Sequence, residues 1–309
     1  MLAHFEYLSH MSTFGRQISD VQEYNMRLEN FSFMENFINE HNASGASWVA
    51  GHNQFSDWSH VEYKQMLGYV ADNRVEETTW LEATNASTPV DWRDAGAINP
   101  IQNQAQCGSC WAFSATFAFE FAHWATTGEL DKFSEQQLVS CAGLKYGNLG
   151  CNGGMQNRAY NYLEKNAAIL ESDYPYSSGT GTTGDCLSSG KPTPENVEVT
   201  TYTNVTVNDV TQMKIGLGIS ALAVSIEADQ PVFQAYSSGI FDSEECGTQI
   251  DHAVGVVGWG IDATTSQEYW ILRNSWGTTW GNQGYMNVAI VEGKGICGIQ
   301  TGPLYPTSN

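Results

Sequence analysis

A motif built around two cysteines is the sequence feature that most constrains how this chain can fold. It spans residues 104–111 and has the sequence QAQCGSCW, in which the cysteines are Cys107 and Cys110. The residues from Cys110 to Trp124 contain no Pro or Gly and are rich in Ala and Phe, which predicts a buried helix with Cys110 in its first turn. The unpaired backbone N–H groups at a helix N-terminus favour a thiolate over a thiol. The motif therefore predicts a nucleophilic sulfur at the start of a buried helix.

The C-x-x-C spacing of Cys107 and Cys110 has two other interpretations, a redox pair and half of a zinc site. A thioredoxin-like pair should follow a strand inside a compact βαβ unit, and a zinc site of this kind needs a second C-x-x-C. The sequence has neither feature. It therefore favours a nucleophilic cysteine, and we expect no metal and no cofactor.

A histidine and an asparagine far downstream supply the groups that a nucleophilic cysteine needs. Only His123 and His252 occur beyond residue 90. His123 lies on the same predicted helix as Cys110, roughly 20 Å along its axis, so we expect a structural role for it. His252 begins an apolar run that predicts a buried strand, where a structural histidine is the alternative. With Asn274, however, a thiol, an imidazole and a carboxamide form a nucleophile, its base and the group that orients the base.

These residues resemble the papain-like cysteine proteases, and in particular their cathepsin L-like branch. Gln104 precedes Cys110 at the spacing of the family's oxyanion-hole glutamine, residues 151–154 (CNGG) match its substrate-backbone segment, and residues 277–285 continue its block after the asparagine. The resemblance covers nearly the whole chain and implies that Cys110, His252, Asn274 and Gln104 are catalytic. Asn274 lies further from Cys110 than is typical, which a short hairpin insertion over 262–268 would explain.

The same resemblance implies the substrate-binding residues and their specificity. They are Gly108, Gly153, Gly154, Met155, Asp251, Ala253, Trp276 and Gly302. Gly153 and Gly154 would pair with the substrate backbone as a strand-like edge. Met155, Ala253 and Gly302 would line the S2 pocket without charge, so we expect a bulky apolar residue second before the scissile bond. No His-rich occluding insertion is present, which favours an endopeptidase.

Seven cysteines predict three disulfides and one free thiol. Six cysteines allow fifteen pairings, among which the sequence alone does not choose. The resemblance implies the pairs Cys107–Cys151, Cys141–Cys186 and Cys246–Cys297, with Cys110 free. Disulfides and the glycosylation sequons at Asn30, Asn42, Asn85 and Asn204 fit an oxidising route. We therefore expect a lysosome or other acidic vesicle, or secretion, as the location.

The N-terminal part carries a second, independent resemblance. Glu23, Arg27, Phe31, Ile38 and Asn42 follow the spaced pattern of cathepsin L-like proregions, although Met34 replaces the usual Asn. Steps of four residues place the first three on one helix face, so an ordinary amphipathic helix is the alternative. Residues 51–57 (GHNQFSD) then match the proregion's G-x-N-x-F-x-D motif. The resemblance implies an inhibitory prodomain over 1–87 and a peptidase domain over 88–309. Processing is expected between about Asn85 and Pro89, in a polar linker over 71–88.

The order of patterns along the chain predicts an α+β fold. Two helical stretches and then a turn and strand at 51–57 are expected within 1–70, and helices at 110–124, 134–141 and 157–166 follow. From residue 197 onward, runs rich in β-branched and aromatic residues predict strands at 221–226, 253–258, 269–273 and 284–290. A helical half and an antiparallel β-barrel half with the active site between them is the papain-like two-subdomain fold.

The charge balance limits the partners. Thirteen Lys and Arg against thirty-four Asp and Glu give a net charge of −21, which disfavours nucleic acid and anionic membranes. Both the expected prodomain and the remainder are acidic, so shape and apolar packing must hold them together. We expect protein and peptide substrates, the chain's own prodomain and cystatin-type inhibitors as partners, and a monomer. A catalytically silent family member and a transpeptidating ligase of the same fold are the alternatives.

Overall fold

The structure is a computed structural model, and it describes residues 2–71, 77–82, 87–195 and 197–309. The N-terminal region contains α1 (Leu2–Phe14), α2 (Val21–Ala43), β1 (Trp48–Ala50) and α3 (His60–Lys64). The later helices are α4 (Cys110–Thr127), α5 (Glu135–Cys141), α6 (Gln156–Leu163), α7 (Val210–Ile219) and α8 (Pro231–Gln234). The later strands are β2 (Val90–Asp91), β3 (Val199–Asn204), β4 (Leu222–Ile226), β5 (Tyr236–Phe241), β6 (His252–Ile261), β7 (Glu268–Arg273), β8 (Tyr285–Ala289) and β9 (Leu304–Ser308).

The central helix α4 joins the helical half to the sheet. Its first fourteen residues are buried, as the Ala- and Phe-rich sequence predicts. One face packs against β6 and β9, and the Ser114 hydroxyl donates to the Val254 carbonyl of β6 at 2.7 Å. Gln156, at the start of α6, donates to the Val224 carbonyl of β4 at 3.0 Å. These polar contacts fix the register of the helical half on the sheet.

The sheet runs in the order β1-β5-β8-β7-β6-β4-β9-β3, and β2 pairs separately with β6. Neighbouring strands are antiparallel, except that β5 and β8 are parallel. Ile261 pairs with Glu268 where β6 turns into β7, so the extra residues after Ile261 form the loop of this hairpin. That is the place at which the sequence predicts an insertion.

The N-terminal region is part of the main apolar core. Phe55 and Tyr63 are buried and pack edge-on against the Trp276 ring, with centroids 5.2 and 5.6 Å away. Strand β1 extends the sheet by pairing with β5. An ion pair between Lys64 and Asp229 at 2.8 Å adds to this packing. Apolar burial therefore supplies most of the contact between two acidic parts of the chain.

Several elements differ from the sequence predictions. The strand expected within 51–57 lies just before it, as β1, and 51–57 is a turn in which Asn53 accepts the Phe55 N–H at 3.0 Å. Helix α7 lies within the β-rich half, and α6 is shorter than expected. Strand β5 was not predicted because its sequence (YSSGIF) is interrupted by Gly239. Gly239 has φ +87°, and a Cβ there would lie 2.6 Å from the Ser47 carbonyl oxygen, so β1 can approach only a glycine.

The linker and the sequons are described in part. The expected processing site begins at Asn85, which lies outside the described residues, as do 72–76, 83–84 and Ala86. Within 77–82, Leu81 is buried and exchanges two hydrogen bonds with the Gln212 side chain, whereas the other five residues are exposed, as the composition of the linker suggests. The amide of Asn42 is fully engaged with the backbone of Ala50, at 2.9 Å in both directions, which disfavours a glycan there. Asn30 donates to a prodomain carbonyl at 3.3 Å.

Candidate active site

The free cysteine and the downstream histidine lie at the starts of two packed elements. Cys110 is the first residue of α4, and His252 is the first residue of β6. Both side chains are fully buried. The backbone N–H of Ala253, the residue after His252, points at the Cys110 sulfur. Packing of α4 on β6 therefore brings the thiol to the start of the strand that carries the imidazole.

Asn274 fixes the imidazole of His252. Its Oδ1 lies 2.9 Å from His252 Nε2 and also accepts the backbone N–H of Ser275 at 2.8 Å. Because this oxygen accepts from a backbone N–H, the amide orientation is determined, and Nε2 must donate to it. Nδ1 is then the unprotonated nitrogen of the neutral ring, and it is buried without a hydrogen-bond partner. The Trp276 ring stacks on the imidazole, with centroids 4.7 Å apart.

Gln104 is buried beside the same loop. Its Oε1 accepts the Ser275 hydroxyl at 2.7 Å, and its Nε2 donates to the carbonyls of Cys107 and Met66 at 2.9 and 2.8 Å. Met66 belongs to the N-terminal region. One N–H of the Gln104 carboxamide is therefore occupied by a carbonyl of the N-terminal region.

A stretch of the N-terminal region, residues 65–70, covers the thiol, and we call it the covering segment. Tyr69 donates its N–H to the Asp251 carbonyl at 3.0 Å and forms a parallel bridge with Gly154. Gly154 donates to the Gly68 carbonyl at 2.8 Å and accepts the Val70 N–H at 3.1 Å. Residues 68–70 of the covering segment thus pair with the backbone of Gly154.

Two glycines allow the covering segment to lie directly on the loop before Cys110. A Cβ built on Gly68 would lie 1.8 Å from the Gly108 carbonyl oxygen, which no side chain can occupy. A Cβ on Gly108 would lie 2.5 Å from the Cys151 carbonyl oxygen. Backbone thus packs on backbone in a place that neither sequence motif predicts.

Burial under the covering segment controls the ionisation of the pair. Loss of water raises the pKa of the Cys110 thiol to about 11, although backbone N–H groups of Ala253 and Gly68 partly oppose this. Burial lowers the pKa of His252 to about 4, although the hydrogen bond that its Nε2 donates to Asn274 opposes this. The covered site therefore holds a neutral thiol and a neutral imidazole. The thiolate expected from the helix N-terminus is not the state of this covered site, because desolvation outweighs the helix.

The other predicted binding residues are not all in contact with one another in the structure. Burial raises the pKa of Asp251 to about 7, and its Oδ1 accepts the Ala228 N–H at 2.8 Å. Met155 and Ala253 are buried, whereas Gly302 has open space where a Cβ would be. No described contact links these last three, so their shared S2 pocket stays a prediction.

Three disulfides, Cys107–Cys151, Cys141–Cys186 and Cys246–Cys297, are present, and they are the pairs that the resemblance implies. Cys110 is the free cysteine. His123 lies 3.3 Å from Asp131. Within the described ranges, no group of three or more His, Cys, Asp or Glu could hold a metal ion. No helix in the part of the chain that the structure covers has the length and apolar character needed to span a bilayer.

Sequence reasoning missed Ser275, Met66 and Tyr176. Ser275 lies beside Asn274, so its sequence neighbourhood was a usable signal. Met66 approaches Gln104 only through the backbone, for which sequence offers no signal. Tyr176 contacts Gln104 and Ser109 from a loop far along the chain.

The fold and the covered thiol are those of a cysteine protease zymogen. The papain family cysteine protease domain matches residues 86–307, and the cathepsin propeptide inhibitor domain (I29) matches residues 7–63. The chain therefore belongs to the papain family of cysteine proteases, with an I29 propeptide at its N-terminal end.

Individual relatives match over nearly the whole chain. Cysteine protease XCP2 of Arabidopsis thaliana is 38% identical over 308 residues, covering 96% of this chain and 84% of that protein. Cathepsin L of Sarcophaga peregrina is 36% identical over 322 residues, covering 98% and 91%. The structure of digestive procathepsin L 3 of Tenebrio molitor larval midgut has a TM-score of 0.87 at 31% identity and covers 99% of both chains. This last similarity includes the helical prodomain and the α+β body together.

Proposed function

We propose that this zymogen yields an endopeptidase in which Cys110 is the nucleophile, His252 the base and Asn274 its orienting group. The observation that carries the proposal is the bond from His252 Nε2 to Asn274, which leaves Nδ1 free to accept a proton, while the N–H of the next residue, Ala253, points at the free Cys110 thiol. Once the covering segment leaves, water returns and the pKa values of thiol and imidazole move toward an ion pair.

The reaction follows from these groups. The proton of the Cys110 thiol moves to His252 Nδ1, and the resulting thiolate attacks a peptide carbonyl carbon. The developing oxyanion is stabilised by the Cys110 backbone N–H and by Gln104 Nε2, each worth on the order of 3 kcal/mol. His252 then protonates the leaving amine, and the C–N bond breaks to give a thioester. Finally His252 takes a proton from water, whose oxygen attacks the thioester and frees the acid and the thiol.

The covering segment acts as the inhibitor. The Met66 carbonyl takes the Gln104 donor that an oxyanion would use, and the parallel bridge of Tyr69 with Gly154 sets the direction of the covering segment. We infer that this direction opposes that of a cleavable substrate, which explains why the prodomain survives in the cleft. Its release is proposed to occur at acidic pH, with residues 1–87 removed and 88–309 as the mature enzyme.

The finer features of this function remain part of the proposal. They are an S2 pocket lined by Met155, Ala253 and Gly302, cystatin-type inhibitors as partners, a monomer, and a lysosomal or other acidic vesicular location or secretion. All three pocket residues are uncharged, which favours a bulky apolar side chain in the substrate.

The Gly302→Glu variant tests the pocket. A carboxylate at the pocket floor should attract an arginine, so kcat/KM for a peptide with Arg second before the scissile bond should rise roughly tenfold relative to one with Leu. The measurement is hydrolysis of this matched peptide pair by the processed parent and variant enzymes. An unchanged ratio would place Gly302 outside the pocket.

The function itself is tested by intact mass after mild acidification of the full chain with an epoxysuccinyl thiol-protease inhibitor, beside Cys110→Ser. Loss of about residues 1–87 and one inhibitor on Cys110, both absent in the variant, is the expected result. Processing of both proteins without labelling would indicate a contaminating protease and contradict the proposal. If neither protein changes, cleavage of the linker by an added protease, followed by the same labelling, decides whether the site is active.

A further inference from the structure

Tyr176 has no part in the reaction proposed above, yet its hydroxyl lies between two residues of the oxyanion hole loop. The hydroxyl donates to the Gln104 carbonyl at 2.9 Å, and its oxygen is 2.9 Å from the Ser109 hydroxyl. A phenol has one hydrogen, which is committed to Gln104, so the Ser109 hydroxyl must donate to the phenolic oxygen. One tyrosine therefore connects the residue that carries the oxyanion carboxamide to the residue before Cys110.

Ser109 supports this connection independently. It occupies the N-cap position of α4, where a serine hydroxyl usually accepts an N–H of its own helix. Here the hydroxyl makes no such capping bond and is turned to Tyr176 instead. The Ser109 side chain therefore caps no N–H of α4, and the Ala112 N–H donates to the Ser109 carbonyl at 2.8 Å instead.

The loop that Tyr176 contacts holds an unfavourable backbone conformation. Ala105 has φ +51°, in the left-handed region that residues with a side chain rarely adopt. Such a conformation persists only where the surroundings enforce it. The loop is bonded on one side to Ser275 through the Gln104 N–H at 2.9 Å, and on the other to Gly179 through the Gln106 N–H at 3.0 Å. The Tyr176 hydroxyl adds the bond between these two attachments.

The Tyr176 ring is itself fixed. It packs edge-on against Phe113 of α4, with centroids 5.0 Å apart, and its backbone N–H donates to Glu171 at 2.9 Å. Burial raises the pKa of the phenol well above its ordinary value, so it keeps its proton for Gln104. The hydroxyl thus has one position relative to both partners.

We propose that Tyr176 is a positioning residue that sets the distance between the two oxyanion donors, the Gln104 side chain and the Cys110 N–H. It acts on the Gln104 backbone and on Ser109 rather than on the substrate. The inference rests on the hydrolytic function proposed above. It assigns to Tyr176 an effect on oxyanion stabilisation and none on the thiol–imidazole pair.

The test compares Tyr176→Phe with the parent, both made as the full chain and processed at mildly acidic pH. The matched control is Tyr174→Phe, because the Tyr174 hydroxyl bonds to Asp185 and Leu187 in the same loop and touches neither oxyanion residue. Two reactions are measured. Peptide hydrolysis forms an oxyanion, whereas alkylation of Cys110 by iodoacetamide forms none.

Tyr176→Phe should lower kcat roughly tenfold, with KM within about twofold, because a small misplacement of an oxyanion donor weakens only the transition state. Its alkylation rate and pH profile should match the parent, and Tyr174→Phe should match in both reactions. Unchanged hydrolysis in Tyr176→Phe, or hydrolysis and alkylation reduced together, would overturn the inference alone. A processed parent that is alkylated but hydrolyses no peptide would overturn the proposed function and this inference with it.

Discussion

At the residue scale, the imidazole of His252 is oriented for catalysis by its neighbours, but its burial disfavours the charged form. The imidazole is oriented by Asn274 and stacked on Trp276, so its geometry is complete in the zymogen. The ring still lacks its second proton, because its burial holds its pKa at about 4. In the proposed mechanism, the base is therefore oriented before activation and becomes charged only after it.

The shift in the pKa of His252 predicts a pH dependence of zymogen stability. In the unfolded chain histidine takes up a proton near pH 6.5, whereas the buried ring does so only near 4. As the pH falls through this window the unfolded state binds more protons, so the contribution of His252 lowers the free energy of unfolding by about 3 kcal/mol. Urea unfolding at several pH values of the Cys110→Ser full chain, which cannot process itself, and of the same chain with His252→Gln measures this, and the parent with His252 should lose stability relative to the variant.

The comparison with His252→Gln is needed because two buried carboxyls raise the free energy of unfolding as the pH falls, whereas His252 lowers it. Burial raises the pKa of Asp251 and of Glu135 to about 7, so these groups gain protons in the folded state first and stabilise it as the pH falls. Both remain in the variant and largely cancel in the difference. If the free energies of unfolding of the parent and the variant change with pH in parallel, the prediction for His252 is wrong.

At the element scale, the covering segment depends on backbone contact more than on side chains. Its residues 68–70 pair with Gly154, and Gly68 approaches Gly108 in the loop before α4. Such a contact has no tolerance for added volume, since a single Cβ displaces the chain.

Gly68→Ala should make the Cys110 thiol accessible in the full-length zymogen. The added Cβ would lie 1.8 Å from the Gly108 carbonyl oxygen, so the covering segment must move off the thiol. We expect labelling of Cys110 in the full-length chain by an epoxysuccinyl probe at neutral pH to rise at least about tenfold, which corresponds to a loss of about 1.4 kcal/mol in closure. Gly218→Ala is the control, because a Cβ there meets nothing within 4 Å. Equal labelling of Gly68→Ala and the parent would contradict the contact.

At the scale of the whole molecule, the prodomain and the body share one core although both are acidic. Phe55 and Tyr63 pack on Trp276, whose ring in turn stacks on His252. The aromatic group that anchors the prodomain is thus also the wall of the active site. Inhibition and catalytic geometry are connected through this one tryptophan.

Phe55→Ala should weaken prodomain docking by about 3 to 5 kcal/mol, the usual cost of removing a buried phenylalanine. Labelling of Cys110 in the full chain at neutral pH should rise sharply, whereas Phe33→Ala, at a side chain that is 60% exposed, should leave it unchanged. Because the docking is apolar, raising the salt to about 0.5 M should not release the prodomain in the parent. Release by salt would indicate that ion pairs such as Lys64–Asp229 dominate.

The sequence by itself determined the α+β class, the helix at Cys110, the strand at His252 and the order of prodomain and body, because periodicity and motifs are local properties. It did not reveal β5, whose pattern Gly239 interrupts, or the helix α7 within the β-rich half. Only the tertiary structure decided the neutral state of the thiol and imidazole, the carbonyl of Met66 at Gln104 and the bond from Tyr176. Each of these depends on the exclusion of water or on backbone atoms brought together from distant parts of the chain, and neither leaves a pattern in neighbouring residues.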